Sequence, residues 1–257
     1  MKIFSLTFCI LLLSISAYAQ TLNVHLKGVT NPIPFQLNAI DSITFTLQSE
    51  GLIAYYPLNS NVIDFSGAGN NGTVNGNITW VQDRHGNPNS ACNFDGTNSY
   101  ITIPNSNTIQ LQTNKLTFAL WFKCTATPQP VVAFLSKNNS NSTKPQYAFH
   151  LNPIGTIRFI ILDQSNVTQG INHDYPFQLN QWYFIAATWD GSTVKIYVND
   201  SLVTTQNLNV SMQINDLPLE IGRDVGGATE WYQGVLDEIR IYNRDLSSEE
   251  ISSLFNE

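Results

Sequence analysis

Charge is what this 257-residue chain has least of: Asp, Glu, Lys and Arg make up 12% of it, against 42% hydrophobic residues. Its surface must be kept wet by neutral groups, and Asn, Ser and Thr are abundant, a composition that suits many short strands and turns. The 12 basic residues are outnumbered by 19 acidic ones and form no run, so the chain has no patch to neutralise phosphates and nucleic acid is excluded as a partner. Long apolar runs are also missing. The one at residues 3–15 follows a single Lys2 and precedes Ala17-Tyr18-Ala19. That is the pattern of a Sec-type signal peptide cut near Ala19, with an apolar stretch too brief to span a bilayer. The expectation is a protein secreted or held at the cell surface, without a membrane span.

Cysteine is scarce as well. Cys9 lies inside the apolar run, too early for a lipid anchor, which leaves Cys92 and Cys124. Secretion permits a disulfide between them, while two buried free thiols would satisfy the same sequence. Catalytic patterns are missing too. There is no E-x-D-x-E run that would project paired carboxylates from one strand face, and no G-x-S-x-G elbow. Asp237 and Glu238 are adjacent, Pro218 separates Asp216 from Glu220, and His25, His85, His150 and His173 lack metal spacing. No catalytic residue is assigned.

What the sequence has instead is alternation. Residues 182–200, W-Y-F-I-A-A-T-W-D-G-S-T-V-K-I-Y-V-N-D, read as a long hairpin turning at Asp190-Gly191, with Asn199-Asp200 making a second tight turn into 201–205. The first arm is apolar on both faces and should lie between two layers. Further strands are expected near 52–57, 73–80, 90–95, 99–103, 115–123, 130–137, 146–151, 155–162, 217–221 and 233–242. Turn clusters at 67–72, 138–141 and 226–227 separate them. Many short strands with almost no helical period predict an all-β, antiparallel sandwich. The exception is residues 247–255, where Ser247 and Glu250 form a capping box and Ile251, Leu254 and Phe255 give one apolar stripe, a short C-terminal helix. Ahead of the sandwich, Leu22–Leu26 and residues 40–45 alternate on either side of Asn31-Pro32-Ile33-Pro34. The division is therefore a leader over 1–19, a short hairpin over 20–49 and one domain over 50–257.

The ordered motifs carry a resemblance. N-x-W-Y-x-I-A-x-T-W-D-G-x-x-V-x-I-Y-V-N-D from Asn180 is joined by G-L-I-A-Y-Y-P-L-N at Gly51 and D-F-S-G-x-G-N-N-G at Asp64. F-D-G at Phe94, L-T-F-A-L-W-F-K at Leu116, E-I-G-R at Glu220 and G-V-L-D-E-I-R-I-Y-N-R-D-L-S-S-E-E-I at Gly234 complete the set. Residues 51–257 thus resemble the laminin-G-like, concanavalin A-like jelly-roll domains. Asp200 departs from the Gly usual at that place. The resemblance implies a jelly-roll sandwich and a noncatalytic recognition module for carbohydrate or an extracellular protein. A divergent hydrolase or lyase, or an adhesive piece joining through 21–49, stays open beside it.

It also implies one structural Ca²⁺. The loop at Asp64 is rich in hard oxygens, which an ordinary Asx-type turn would show too, and the resemblance joins Asp64 and Asn70 to Asp237 as ligands. For a ligand surface, aromatics with polar neighbours are the candidates, because sugars stack on rings while polar side chains read their hydroxyls. Trp231, Tyr232, Arg223, Asp224 and Tyr147 are the expected ligand-binding set, with packing over the sheet the alternative for Trp231, and His150 and Tyr175 are also expected at the surface. Trp121, Trp182 and Trp189 are expected in the core.

Overall fold

A computed structural model describes residues 12–15, 21–25, 33–36, 50–128, 131–138, 145–152, 155–224 and 230–257. The chain divides into two units, Met1–Leu47 and Gln48–Glu257. In the first, β1 (Leu12–Ile15), β2 (Thr21–His25) and β3 (Ile33–Gln36) form an antiparallel sheet with β2 central. β2 pairs with Ile33–Gln36, part of which was expected to turn, and Pro34 sits opposite Asn23. The run at 40–45, expected as the second arm of that hairpin, lies outside the described residues. Leu12–Ile15, from the apolar run assigned to the leader, pairs with β2, and the rest of 1–19 lies outside the described residues.

The second unit is two antiparallel sheets and one helix, a jelly-roll sandwich. The seven-stranded sheet runs β13 (Thr168–Asp174), β12 (Thr156–Leu162), β11 (Tyr147–Leu151), β10 (Val132–Ser136), β17 (Leu219–Ile221), β8 (Tyr100–Ile103) and β5 (Thr73–Asn75). The other runs β16 (Ser201–Asn207), β15 (Thr193–Val198), β14 (Tyr183–Trp189), β9 (Leu116–Cys124), β18 (Gln233–Tyr242), β7 (Ala91–Asp95) and β6 (Thr79–Val81). In it, β4 (Leu52–Tyr56) pairs with the second half of β18. The expected strand at 73–80 is two strands, because Gly76 turns the chain at φ +69° toward the backbone of Asn98. β13 was not expected, since T-Q-G-I-N-H-D buries only Ile171 of its seven side chains at the sheet edge.

The central hairpin forms with its turn one residue later than expected. Asp190 N–H donates to Thr193 O, so Gly191-Ser192 is the two-residue loop and only Gly191 takes positive φ (+96°). Asp190 instead caps the turn, its carboxylate accepting from Ser192 N–H and Oγ–H and from Thr193 N–H. In the second turn Asn199, at φ +53°, takes the left-handed conformation that the absent Gly would have supplied.

The reason β9 and β14 are apolar on both faces is now explicit. Their inner faces, Phe118, Leu120, Ile185 and Ala187 among them, pack against the seven-stranded sheet. The outer residues Ala119, Trp121, Phe184 and Ala186 lie beneath α1 (Ser248–Phe255), which buries Ile251 and Leu254 and stacks Phe255 on Trp121 at 5.5 Å. The capping box at Ser247 and Glu250 is present as expected.

Cys92 and Cys124 are buried free thiols. They lie on strands flanking β18, Cys92 opposite Leu236 and Cys124 opposite Gly234, so two strand spacings of about 4.8 Å separate them. That exceeds the roughly 7 Å Cα separation a disulfide tolerates. The melting temperature is therefore expected to be the same with and without a thiol reductant; a fall on reduction would contradict this placement.

Candidate functional site

Register decides which side chains leave the sandwich. On the seven-stranded sheet, Phe149, Phe159 and Ile171 lie opposite one another on the core face, as do Leu135, Ile221 and Ile101. The alternate row, Thr102, Glu220, Ser136, Ala148, Ile160 and Gly170, faces away from the core, and His150 and Arg158 continue it. Small residues in the middle of this row keep the outward face low. The turn leaving β17 then brings Arg223, Asp224, Glu230 and Trp231 over it, joined by the Arg223–Trp231 bridge and the Asp224 N–H to Glu230 O bond.

Two adjoining features result. The first is a layered ledge. The Arg223 guanidinium is bound by both oxygens of the buried Glu220 carboxylate and lies over the Tyr100 ring at 3.5 Å and near the Trp231 ring at 5.2 Å. Glu220 raises the Arg223 pKa against the opposing effect of burial. A flat, cationic, partly aromatic surface is what such a stack offers.

The second feature is a pocket of about 190 Å³ lined by Val131, Pro145 and Ile160 and by the polar His150, Arg158, Thr168, Asp224 and Glu230. At its base His150 Nε2 lies 2.9 Å from Asp224 Oδ2, both side chains almost wholly buried. Asp224 Oδ1 accepts from Ser136 Oγ–H at 3.2 Å and Asn138 Nδ2–H at 3.0 Å. Burial, then the charge of Asp224, raise the Glu230 pKa, with His150 acting the other way.

Of the five residues expected to bind a ligand, Trp231, Arg223 and Asp224 are brought together here. Tyr147 and Tyr232 are not: both are fully buried, with Tyr147 Oη–H donating to Ile109 O and Tyr232 packed edge-on against Phe94. Alternation along β11 puts Tyr147 and His150 on opposite faces, and adjacent Trp231 and Tyr232 must likewise diverge. The expectation of a surface His150 is corrected as well, since it is 4% exposed. Trp121 and Trp189 are buried as expected, whereas Trp182 is half-buried beneath Lys123. The expected turn at 226–227 and residues 139–141 of the other lie outside the described residues.

Asp64, Asn70 and Asp237 do not fit one Ca²⁺ site. Asp64 already receives four donors, Tyr55 N–H and Ser66 N–H on Oδ1 and Ser66 Oγ–H and Asn70 N–H on Oδ2. The Asn70 side-chain oxygen accepts from Ser106 and Thr108. A cation there would have to displace these bonds, which tie the loop to β4 without it. Asp237 is engaged elsewhere, its Oδ2 3.0 Å from Arg84 Nη1, and Arg84 in turn lies over Trp121. A bulge in β18, with Glu238 at φ +53°, sends Glu238 toward Tyr55 and Arg240. Burial, then Glu238, push the Asp237 pKa up to about 7 despite Arg84.

No curated protein matches the chain in sequence. Among solved structures, the binding domain of Paraclostridial Mosquitocidal Protein 1 superposes with a TM-score of 0.69 at 16% identity, covering 82% of this chain and 53% of that one. The binding domain of botulinum neurotoxin DC, in complex with rat synaptotagmin II, does so with a TM-score of 0.65 at 14% identity, over 82% and 52%. This chain thus spans about half the length of those toxin domains. Domain 4 of AbnA, an extracellular arabinanase from Geobacillus stearothermophilus in complex with arabinotriose, gives 0.60 at 20% identity, over 79% of this chain and 97% of that domain. At such identities the likeness is one of fold. The family model Laminin_G_3 matches residues 95–252, more than half of the chain, and through it the chain belongs to the concanavalin A-like lectin/glucanases superfamily.

Proposed function

We propose that this protein is a noncatalytic recognition module, secreted after cleavage near Ala19, that binds a carbohydrate along the outward face of the seven-stranded sheet. The observation that carries the reading is the convergence of Trp231, Arg223 and Tyr100 with the His150–Asp224 pocket on that one face. Rings and guanidinium offer a stacking surface, and the pocket offers directed hydrogen bonds beside it, the division of labour sugar sites use. Asp224, the carboxylate at the base of the pocket, is occupied by Ser136, Asn138 and His150, an arrangement that holds it as a structural acceptor. The structural neighbours agree with a binding role: one is a toxin binding domain in complex with rat synaptotagmin II and one a domain in complex with arabinotriose. No described helix is long and apolar enough to cross a membrane.

Retention on immobilised polysaccharides is the test. Trp231→Ala is expected to weaken binding about tenfold while the circular dichroism spectrum is kept, as for loss of one aromatic anchor. No retention on any polysaccharide, with capture of a surface protein instead, would replace the carbohydrate by a protein ligand. Sugar release from the same panel is expected to be nil.

A further inference from the structure

His150 poses a problem that the rest of the fold does not solve. It is 4% exposed and, although its Nε2 lies 2.9 Å from Asp224 Oδ2, neither of its buried ring nitrogens, Nδ1 included, has a hydrogen-bond partner among the described residues. An unmet polar atom at that depth costs about 1–3 kcal/mol, so a site that retains one is shaped for something that supplies the partner. Nδ1 is an acceptor when Nε2 carries the proton and a donor when both nitrogens do; a hydroxyl, which donates and accepts, satisfies it in either state.

Two neighbours in the pocket are also unspent. Neither the Arg158 guanidinium nor the Glu230 carboxyl makes an ion pair or side-chain hydrogen bond among the described residues, although both line the same space. A donor fork and a carboxyl that remain apart in one small pocket are held by their strands, Arg158 on β12 and Glu230 across from Asp224. Adjacent hydroxyls of a sugar bridge such groups, accepting from the guanidinium and donating to the carboxyl. Val131, Pro145 and Ile160 supply the apolar wall for the ring's C–H groups. At about 190 Å³ the pocket is smaller than the roughly 300–1,000 Å³ of sites for drug-sized ligands, a size for one ring rather than a chain.

Charge narrows the class further. Asp224 and Glu230 together oppose Arg158, and Glu230 is already pushed toward its protonated form by burial and by Asp224. A ligand carboxylate or sulfate would bring a further anion into a desolvated space where Asp224 already drives Glu230 toward neutrality.

We infer that the His150–Asp224 pocket receives a single uncharged sugar residue, through hydroxyls shared among His150 Nδ1, Arg158 and Glu230, and that it selects against anionic sugars. This rests on the carbohydrate reading above and names its specificity. The Trp231–Arg223 ledge beside the pocket would carry the next residues of the same chain.

The test uses the whole protein, titrated calorimetrically with neutral arabino-, xylo-, gluco- and manno-oligosaccharides and with oligogalacturonate and sialyllactose as anionic probes. At least one neutral series is expected to bind, with the anionic probes about tenfold or more weaker. Arg158→Met and His150→Gln are each expected to lose about tenfold in affinity, the effect of one hydrogen bond to a desolvated group. Arg158 is only half-buried, so its variant reports on the site even if His150→Gln perturbs folding. Neutral sugars bound equally well by both variants would overturn the pocket assignment and leave carbohydrate recognition standing. Tighter binding of an anionic probe would overturn the selectivity. No binding of any sugar would overturn the carbohydrate reading itself, and the inference with it.

Discussion

Replacing Lys137 by Met is expected to lower the unfolding free energy by about 3 kcal/mol and the melting temperature by about 6 to 12 °C. Lys137 follows β10 and is fully buried, and its ammonium lies within 3.0 Å of Asn105 Oδ1, Asn215 O and Oδ1, and Leu217 O. Met keeps the apolar stem but leaves these oxygens without a donor in a place water does not reach, and each unmet acceptor costs about 1–3 kcal/mol before relaxation.

The pH dependence separates the charge from the packing. Burial lowers the Lys137 pKa to about 8, with Asp216 pulling the other way. The unfolded chain holds that proton to about pH 10.4, so between the two values the unfolded state binds more protons. Stability contributed by this group therefore rises as pH rises through that window. The gap in unfolding free energy between wild type and Lys137→Met, measured by urea denaturation, should widen by about 1 to 2 kcal/mol from pH 7 to pH 9.5. A constant gap would mean that burial does not depress the Lys137 pKa, and a narrowing gap that the surrounding oxygens hold its proton more tightly than water does.

Gly222→Ala should be as damaging, and it reaches the candidate site directly. Gly222 has φ +87°, and a Cβ there would sit 2.4 Å from Cδ1 and Cε1 of Phe94, a ring fixed by Tyr232. Left-handed backbone costs an L-residue about 1–2 kcal/mol, and the clash adds to it, so a loss of about 3 kcal/mol and about 6 to 12 °C in melting temperature is expected. Gly222 also donates to Phe134 O and accepts from Tyr232 N–H, the bonds that hold Arg223 and Asp224 over the sheet. Any sugar binding should weaken along with stability, whereas Trp231→Ala should affect binding far more than melting. An unchanged melting curve for Gly222→Ala would show that this turn is free to relax.

The parts legible in the sequence were those whose cause is local. The Ser247–Glu250 capping box and the arms of the central hairpin sit where the alternation and end signals put them. β13 escaped notice because an edge strand with one buried side chain has almost no apolar alternation to detect. At the candidate site, Trp231, Arg223 and Asp224 are near neighbours in sequence and stand out as a loop cluster. His150, Arg158 and Glu230 come from three separate segments, and nothing local links them. Period two carries the one signal: Y-A-F-H-L on β11 and T-I-R-F-I on β12 place His150 and Arg158 on the face opposite Tyr147, Phe149 and Phe159.

Alternation and turn chemistry act between neighbouring residues, and they were enough to determine an all-β sandwich closed by a capped helix. Register between strands distant in the chain depends on which apolar faces meet, so only the folded sandwich could bury Tyr147 and Tyr232, hold Cys92 and Cys124 on opposite sides of β18, and fill the Asp64 loop with protein donors. The same packing brought His150 beneath Asp224, because a pocket made from three strands and a turn exists only once the layers have closed.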